Sequence, residues 1–293
     1  MANIAVYGLG SMGYGVAQSC LRAGHSVWGA DVRAEAIDRF RAEGGASGPI
    51  PAHDLNIAVS VVLNAAQTEE VLFSAEGVVP SMPAGSVVIS CATVPPEFAR
   101  DMAARAARHG VHYLDAPISG GSVKAAQGAL SIMAAGSDEA YAAARPALDA
   151  MADRVFKLGD VGAGSAMKAV NQLLAGVHIA TMAEGLTFGM TQGVAPEKFV
   201  EVISQCAGSS WMLENRAPHI VAGDYTPHSA VNIWLKDLGI VLDIAKGAGF
   251  SAPLTAAALQ QFVAAAGSGL GGEDDAAVAK VYARNSGIKL PGE

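Results

Sequence analysis

Residues 159–194 read GDVGAGSAMKAVNQLLAGVHIATMAEGLTFGMTQGV, and this stretch divides the chain. Before it, short apolar runs alternate with helical patterns; after it, the patterns are helical only. Three glycines, Gly159, Gly162 and Gly164, lead into Ser165 as a candidate N-cap, and the run to Val194 holds no proline and is apolar on most faces. That pattern predicts a long, largely buried helix. Lys168, Asn171 and Gln172 fall at i, i+3 and i+4 near its start, so their side chains share one face. A lysine there opposes the helix dipole, and burying its ammonium costs more. It either snorkels to solvent at a domain edge or serves chemistry.

Working outward toward the N-terminus, Asn3–Tyr7 reads as a strand, followed by Gly8-Leu9-Gly10-Ser11-Met12-Gly13 and a helical run stopped by Gly24. A second strand, 26–30, ends in Asp31, 18 residues beyond Gly13. Strand, glycine turn, helix and distant acid together are the fingerprint of dinucleotide binding. Gly8 allows the tight turn, Gly10 the approach of backbone to the pyrophosphate, and Gly13 close helix–strand packing, while Asp31 accepts from the adenosine ribose. Asp31 also repels a 2′-phosphate, which favours NAD over NADP. Arg33 could contact such a phosphate, or be a solvated residue at a helix start.

Further strands are expected at 57–63, 86–90, 111–114, 131–135 and 155–158, alternating with helices at 33–43, 96–109 and 138–151. The alternation predicts a mainly parallel sheet covered on both faces. Beyond Val194, helices are expected at 196–206, 229–246, 253–266 and 276–283. The fold class is thus α/β: an N-terminal Rossmann dinucleotide-binding domain, 1–162, and an all-α C-terminal domain, 163–293, for substrate and oligomerisation, joined through the helix at 163–194.

Composition narrows the function. A net charge of -8 without clustered basic residues excludes a nucleic-acid surface. No basic and apolar leader opens the sequence and no apolar run reads as a membrane span, so a cytoplasmic protein is expected. The three cysteines, Cys20, Cys91 and Cys206, are scattered, match no metal-site spacing and read as reduced core or pocket residues. No metal site is expected.

Several loops lie at the carboxyl ends of the predicted strands, where open parallel sheets bind ligands. Asp115-Ala116-Pro117-Ile118-Ser119-Gly120-Gly121 supplies a hydroxyl and unencumbered backbone N–H groups suited to a carboxylate, or is an ordinary proline-glycine loop. Lys124 could add positive charge there or be solvated. Leu63 and Asn64 end one strand, and Thr93 follows another in Cys91-Ala92-Thr93-Val94-Pro95, both beside the expected cofactor. Thr93 either bonds the nicotinamide half or completes a turn. Lys236 and Asp237, in WLKDLGIVLD, are adjacent charges in an apolar helix, either a surface pair or a cleft pair.

The ordered set GLGSMG, CATVPP, DAPISGG, GAGSAMKAVNQ and WLKDLGIVLD spans almost the whole chain and resembles the β-hydroxyacid dehydrogenase family, relatives of 3-hydroxyisobutyrate dehydrogenase and tartronate semialdehyde reductase. The resemblance implies NAD-dependent oxidation of a small hydroxy acid. It implies Lys168 as catalytic acid/base, Ser119, Gly120 and Gly121 on the substrate carboxylate, Thr93 and Lys236 on the cofactor, and Asp237 as a support near the active centre. Hydroxyisobutyrate-type members commonly carry two successive asparagines after the lysine, where this chain has Asn171 then Gln172. That departure fits the threonate-like branch.

Imine-reducing relatives usually carry aspartate or tyrosine at the Lys168 position, and phosphogluconate-type decarboxylating relatives have a longer helical part and a phosphate-binding arginine cluster. A non-catalytic NAD-binding module would not need Lys168 together with the serine-glycine loop. The apolar faces of the long helix call for more cover than a small helical domain supplies, which predicts a homo-oligomer, dimer or tetramer.

Overall fold

The computed structural model describes residues 1–292 and divides into two compact units, Met1–Lys168 and Ala169–Glu293. In chain order the first unit holds β1 (Asn3–Tyr7), α1 (Gly13–Arg22), β2 (Ser26–Ala30), α2 (Ala34–Ala42), β3 (Ile57–Ser60), α3 (Ala65–Phe73), β4 (Val87–Ser90), α4 (Pro96–Ala107), β5 (His112–Asp115), β6 (Ile118–Ser119), α5 (Gly121–Gln127), β7 (Leu130–Ala134), α6 (Asp138–Met151) and β8 (Ala152–Lys157). The long helix α7 (Ala163–Thr191) crosses the division between Lys168 and Ala169. The second unit continues with α8 (Pro196–Ile203), α9 (Trp211–Ala222), α10 (Val231–Gly247), α11 (Pro253–Ala265) and α12 (Ala279–Ser286).

Five strands form a parallel sheet in the order β2-β1-β3-β4-β5. Its central strands are buried along their whole length, which is why Ile57–Ser60 and Val87–Ser90 read as continuous apolar runs and not as alternations. One face packs on α1 and α6 through Val16, Ala17, Ala144 and Met151; the other packs on α3 and α4 through Leu72, Ala99 and Met102. Full burial of the Val, Leu and Met side chains among these contributes about 1.5–3 kcal/mol each, and of the alanines less. The outcome is the expected α/β class, with one qualification. The strands after Asp115 form a second, three-stranded sheet, β6-β7-β8, in which β6 runs antiparallel to β7. The two-residue β6, confined between Pro117 and Gly120, is too short to carry a periodic signal.

Other boundaries moved for identifiable reasons. Helix α7 begins at Ala163, so Ser165 lies inside its first turn and is not the N-cap. Helices α3 and α9 were not among the expected elements. Asn64 caps α3 by accepting from Gln67 N at 2.9 Å, and Gln67 Oε1 in return accepts from Leu63 N at 2.9 Å, a variant of the capping box. Helix α9 contains Pro218, which hides it from pattern reading, yet Ser210 caps its start and Gly223, at φ 65°, closes it.

In the helical unit, Ile179, Met182, Ala183 and Leu186 from the second half of α7 meet Leu213, Trp234, Leu238 and Phe262 in one core. By length and composition alone α7 could cross a membrane; in this chain its side chains build that core. Cys20 and Cys91 are buried thiols pushed up to about 12 by loss of solvent, whereas Cys206 is exposed and lies outside the core.

Candidate active site

The glycine turn is built by contact between backbones. A Cβ on Gly13 would lie 1.8 Å from the Gly8 carbonyl oxygen, and one on Gly8, whose φ is 93°, would lie 2.7 Å from Val61 O. Only hydrogen fits at either place. At Gly10 nothing stands within 4 Å of an added Cβ, so the space above the turn is open. Helix α1 starts there with no side-chain cap and no acid in its first turn, leaving its N-terminal N–H groups and positive dipole end for an anion. Both features fit the pyrophosphate of a dinucleotide. Ser11 is exposed and Met12 half-buried at the same turn.

Asp31 is tied to this turn. Its Oδ2 accepts from Leu9 N at 2.7 Å, and its Oδ1 accepts from Arg33 N at 2.9 Å and Arg33 Nε at 3.0 Å. Arg33 is therefore not simply solvated: its guanidinium pairs with Asp31 and also donates to Leu9 O at 3.1 Å. Burial alone would raise the Asp31 carboxyl, but the hydrogen bonds from Arg33 and Leu9 outweigh it and hold the carboxyl below its ordinary value. Leu63 is exposed beside the turn's neighbour strand, Asn64 has its side-chain oxygen engaged as the cap of α3, and Thr93 is half-buried in the loop after β4.

Within the same unit the segment from Asp115 to Gly121 gathers the candidate chemistry. Asp115, 1% exposed, accepts from Gly162 N at 3.0 Å and Ser165 N at 2.9 Å through Oδ2, and from Ser165 Oγ at 2.6 Å through Oδ1. It anchors the first turn of α7. Burial raises its pKa, and those hydrogen bonds pull in the opposite direction. One turn along the helix, Lys168 is buried and donates from Nζ to Ile118 O at 2.9 Å. The next three residues are Ser119, Gly120 and Gly121, with the two glycines at φ 135° and 71°, a region other residues enter only under strain. The stem of Lys124 lies against Gly120, where an added Cβ would meet its Cβ and Cδ at 2.9 Å, and Lys124 itself is exposed. Lys168 is thus a buried lysine with a fixed head group, not one snorkelling to water. Asp115 and Ser165 were not singled out from sequence as its supports. The available signal was an acid ending an otherwise apolar strand, HYLD, and a hydroxyl between glycine and the lysine turn.

In the helical unit Asn171 Nδ2 donates to Gln172 Oε1 at 2.8 Å, and Gln172 Nε2 donates to Asp237 Oδ2 at 2.5 Å. Asp237 is 3% exposed, and Lys236 Nζ stands 2.5 Å from its Oδ1, so these two charges form a pair with one buried partner and are not both on the surface. Among the described residues no group of three or more His, Cys, Asp and Glu side chains is arranged to hold a metal ion.

Two family models cover the chain. Residues 3–159 match the NAD-binding domain of 6-phosphogluconate dehydrogenase, and residues 162–282 match the NAD-binding domain of NADP-dependent 3-hydroxyisobutyrate dehydrogenase. L-threonate dehydrogenase of Cupriavidus necator is 50% identical over 99% of this chain and 98% of its own.

The chain belongs to the β-hydroxyacid dehydrogenase family.

L-threonate dehydrogenase of Escherichia coli strain K12 is 44% identical over 99% of this chain and 97% of its own. The crystal structure of 3-hydroxyisobutyrate dehydrogenase from Salmonella typhimurium is 46% identical, covers 95% of this chain and 99% of its own, and superposes with a TM-score of 0.88. As a β-hydroxyacid dehydrogenase the chain uses a nicotinamide dinucleotide.

Proposed function

We propose that this β-hydroxyacid dehydrogenase oxidises L-threonate to its 2-oxo acid with NAD, using Lys168 as acid/base. The observation that carries the reading is the 2.9 Å hydrogen bond from Lys168 Nζ to Ile118 O, which holds a buried amine next to Ser119, Gly120 and Gly121. An amine in that position can take a proton from a substrate hydroxyl whose carboxylate lies on the serine-glycine loop. A free lysine has a pKa of about 10.4 and is a poor base near neutrality, but burial favours its neutral form. The bound nicotinamide ring supplies the hydride acceptor. Lys168 accepts the hydroxyl proton at Nζ, Ser119 and the N–H groups of Gly120 and Gly121 bind the carboxylate, and Asn171 and Gln172, on the same helix face as Lys168, orient the substrate because amides do not titrate usefully. Lys124 adds positive charge at the carboxylate.

For the cofactor we assign Gly8 to Gly13 to the pyrophosphate, Asp31 to the ribose, Leu63, Asn64 and Thr93 to its flank and Lys236 to its contact in the helical part. Asp31 supports NAD over NADP. In this reading 1–162 is the NAD-binding domain and also lends the serine-glycine loop to the substrate, and 163–293 is the substrate and oligomerisation domain and also lends Lys236 to the cofactor. Val170, Leu174 and Phe188 on α7 are 53%, 49% and 66% exposed, which supports a homo-oligomer of two or four chains. Three free cysteines and a nucleotide cofactor suit the cytoplasm.

The test is NADH formation with L-threonate, 3-hydroxyisobutyrate and glycerate, and NADH consumption with tartronate semialdehyde and a cyclic imine. Turnover should be highest with L-threonate and absent in Lys168→Met, while that variant still binds NADH. Near-normal turnover without the amine overturns the assignment; preference for 3-hydroxyisobutyrate or tartronate semialdehyde moves the substrate and keeps the chemistry.

A further inference from the structure

The hydrogen bonds from Asn171 to Asp237 have a direction. Asp237 is a buried carboxylate with the Lys236 ammonium at 2.5 Å, so it only accepts hydrogen bonds. Gln172 must therefore turn its NH2 toward Asp237 Oδ2, at 2.5 Å, and its carbonyl oxygen away. That oxygen accepts from Asn171 Nδ2 at 2.8 Å, which forces the Asn171 NH2 inward and leaves Asn171 Oδ1 as the outward end of the chain. A carboxamide by itself has two nearly identical orientations, one presenting a donor and one an acceptor. Here the charge at the far end removes the choice.

We propose that Gln172 and Asp237 are positioning residues that lock Asn171 as a hydrogen-bond acceptor, and that this acceptor selects hydroxy acids carrying a second hydroxyl beside the reacting one. The inference rests on the proposed oxidation at Lys168, three residues before Asn171 on one helix face. A substrate hydroxyl can donate to Asn171 Oδ1; a methyl or methylene at that carbon offers the oxygen of this half-buried residue no donor. Leaving a polar group unpaired in this way discriminates by on the order of 10–100-fold. Two successive asparagines could not reproduce the arrangement as it stands, because the shorter second amide falls one methylene short of the carboxylate that sets the direction.

The experiment compares kcat/KM for L-threonate with that for 2,4-dihydroxybutanoate, its 3-deoxy analogue, in the wild type, Gln172→Leu and Asp237→Asn. The wild type should prefer threonate by 10–100-fold. Both variants should lose most of that preference, chiefly through a higher KM for threonate, while NADH binding and thermal melting show that each is folded. If one variant does not fold, the other carries the comparison; if neither folds, Gln172→Asn, which retains an amide that is too short, takes their place. An unchanged preference in a folded variant, or no preference in the wild type, overturns the inference and leaves the oxidation reading intact. A wild type that oxidises neither acid overturns both.

Discussion

Asp115 takes up both donors of Ser165, the backbone N–H at 2.9 Å and the hydroxyl at 2.6 Å, and so fixes where the helix bearing Lys168 begins. Asp115 closes strand β5, and Ile118, whose carbonyl receives the Lys168 amine, follows three residues later. One short segment therefore sets both the helix start and the amine. Asp115→Ala should destabilise the fold by about 2–4 kcal/mol, combining loss of a cap with buried donors left unsatisfied. Asp115→Asn should cost less, since its oxygen can replace Oδ2 and its NH2 can donate to Ser165 Oγ. Chemical denaturation of the two variants decides whether geometry or charge dominates.

The same carboxyl gives a pH dependence. Burial raises its pKa above the ordinary 3.8, so the folded chain holds that proton more tightly than the unfolded one. Its contribution is favourable at pH below 3.8 and is lost as pH rises through the folded value. Relative to Asp115→Asn, the wild type should lose stability as pH rises across that window, read by thermal melts at stepped pH. A difference that stays constant with pH would mean that the carboxyl is not perturbed by burial.

The glycine turn separates folding from binding. An alanine at position 13 would press its Cβ to 1.8 Å from Gly8 O, and Gly13→Ala should melt lower and lose dinucleotide binding together. Gly10→Ala meets nothing within 4 Å and should keep the wild-type melting temperature. Its methyl group enters the space over the turn, and NADH affinity should fall at least about tenfold, the effect of one blocked close approach. Fluorescence titration with NADH alongside melting curves distinguishes the two.

Asp31 and Arg33 are partners, so substituting the acid tests both in cofactor preference. Asp31→Ser removes the charge that repels a 2′-phosphate and frees a guanidinium now held at 3.0 Å. Arg33 and Arg39 both face a groove of about 610 Å³ that opens beside Gly10 and Ser11. The variant should bind NADPH better and NADH worse than the wild type, and Asp31→Ser with Arg33→Ala should lose the gain. Titration with each cofactor measures it; an unaltered preference would remove Asp31 from the specificity argument.

Much of this was legible in the sequence because it rests on local rules. The turn from Gly8 to Gly13, the acid at Asp31 and the amphipathic or apolar periods of most elements depend on neighbours within a few residues. The misses depend on partners far along the chain or on short caps. Ser165 looked like an N-cap because a serine after glycines is usually one; its actual partner, Asp115, lies 50 residues away. Arg33 is exposed at the start of α2, as its position suggests, but its pairing with Asp31 and Leu9 is not legible because it needs the turn to be folded first. Asn64, at a strand end beside the glycine turn, is also the cap of α3, a role that its spacing to Gln67 already spells. The amide of Gln172, on the Lys168 face by its spacing, is also held between Asn171 and Asp237, 65 residues on, a relation no helical spacing encodes.

The helical unit carries one more buried charge whose removal should be severe. Arg216, 8% exposed, donates from Nε to Asp275 Oδ1 at 2.6 Å, and Trp234 Nε1 donates to Asp275 Oδ2 at 2.9 Å. Burial raises the Asp275 carboxyl, and the Arg216 charge is the main opposing influence. Arg216→Ala leaves a fully buried carboxylate without its counter-charge and should cost about 3–5 kcal/mol. The carboxyl should then hold its proton still more tightly when folded, so the variant should recover stability relative to the wild type as pH falls. Melting curves from neutral to acidic pH test this. A deficit independent of pH would point to lost packing of the arginine stem, and Arg216→Met, which keeps the stem's volume without its charge, would then restore most of the stability.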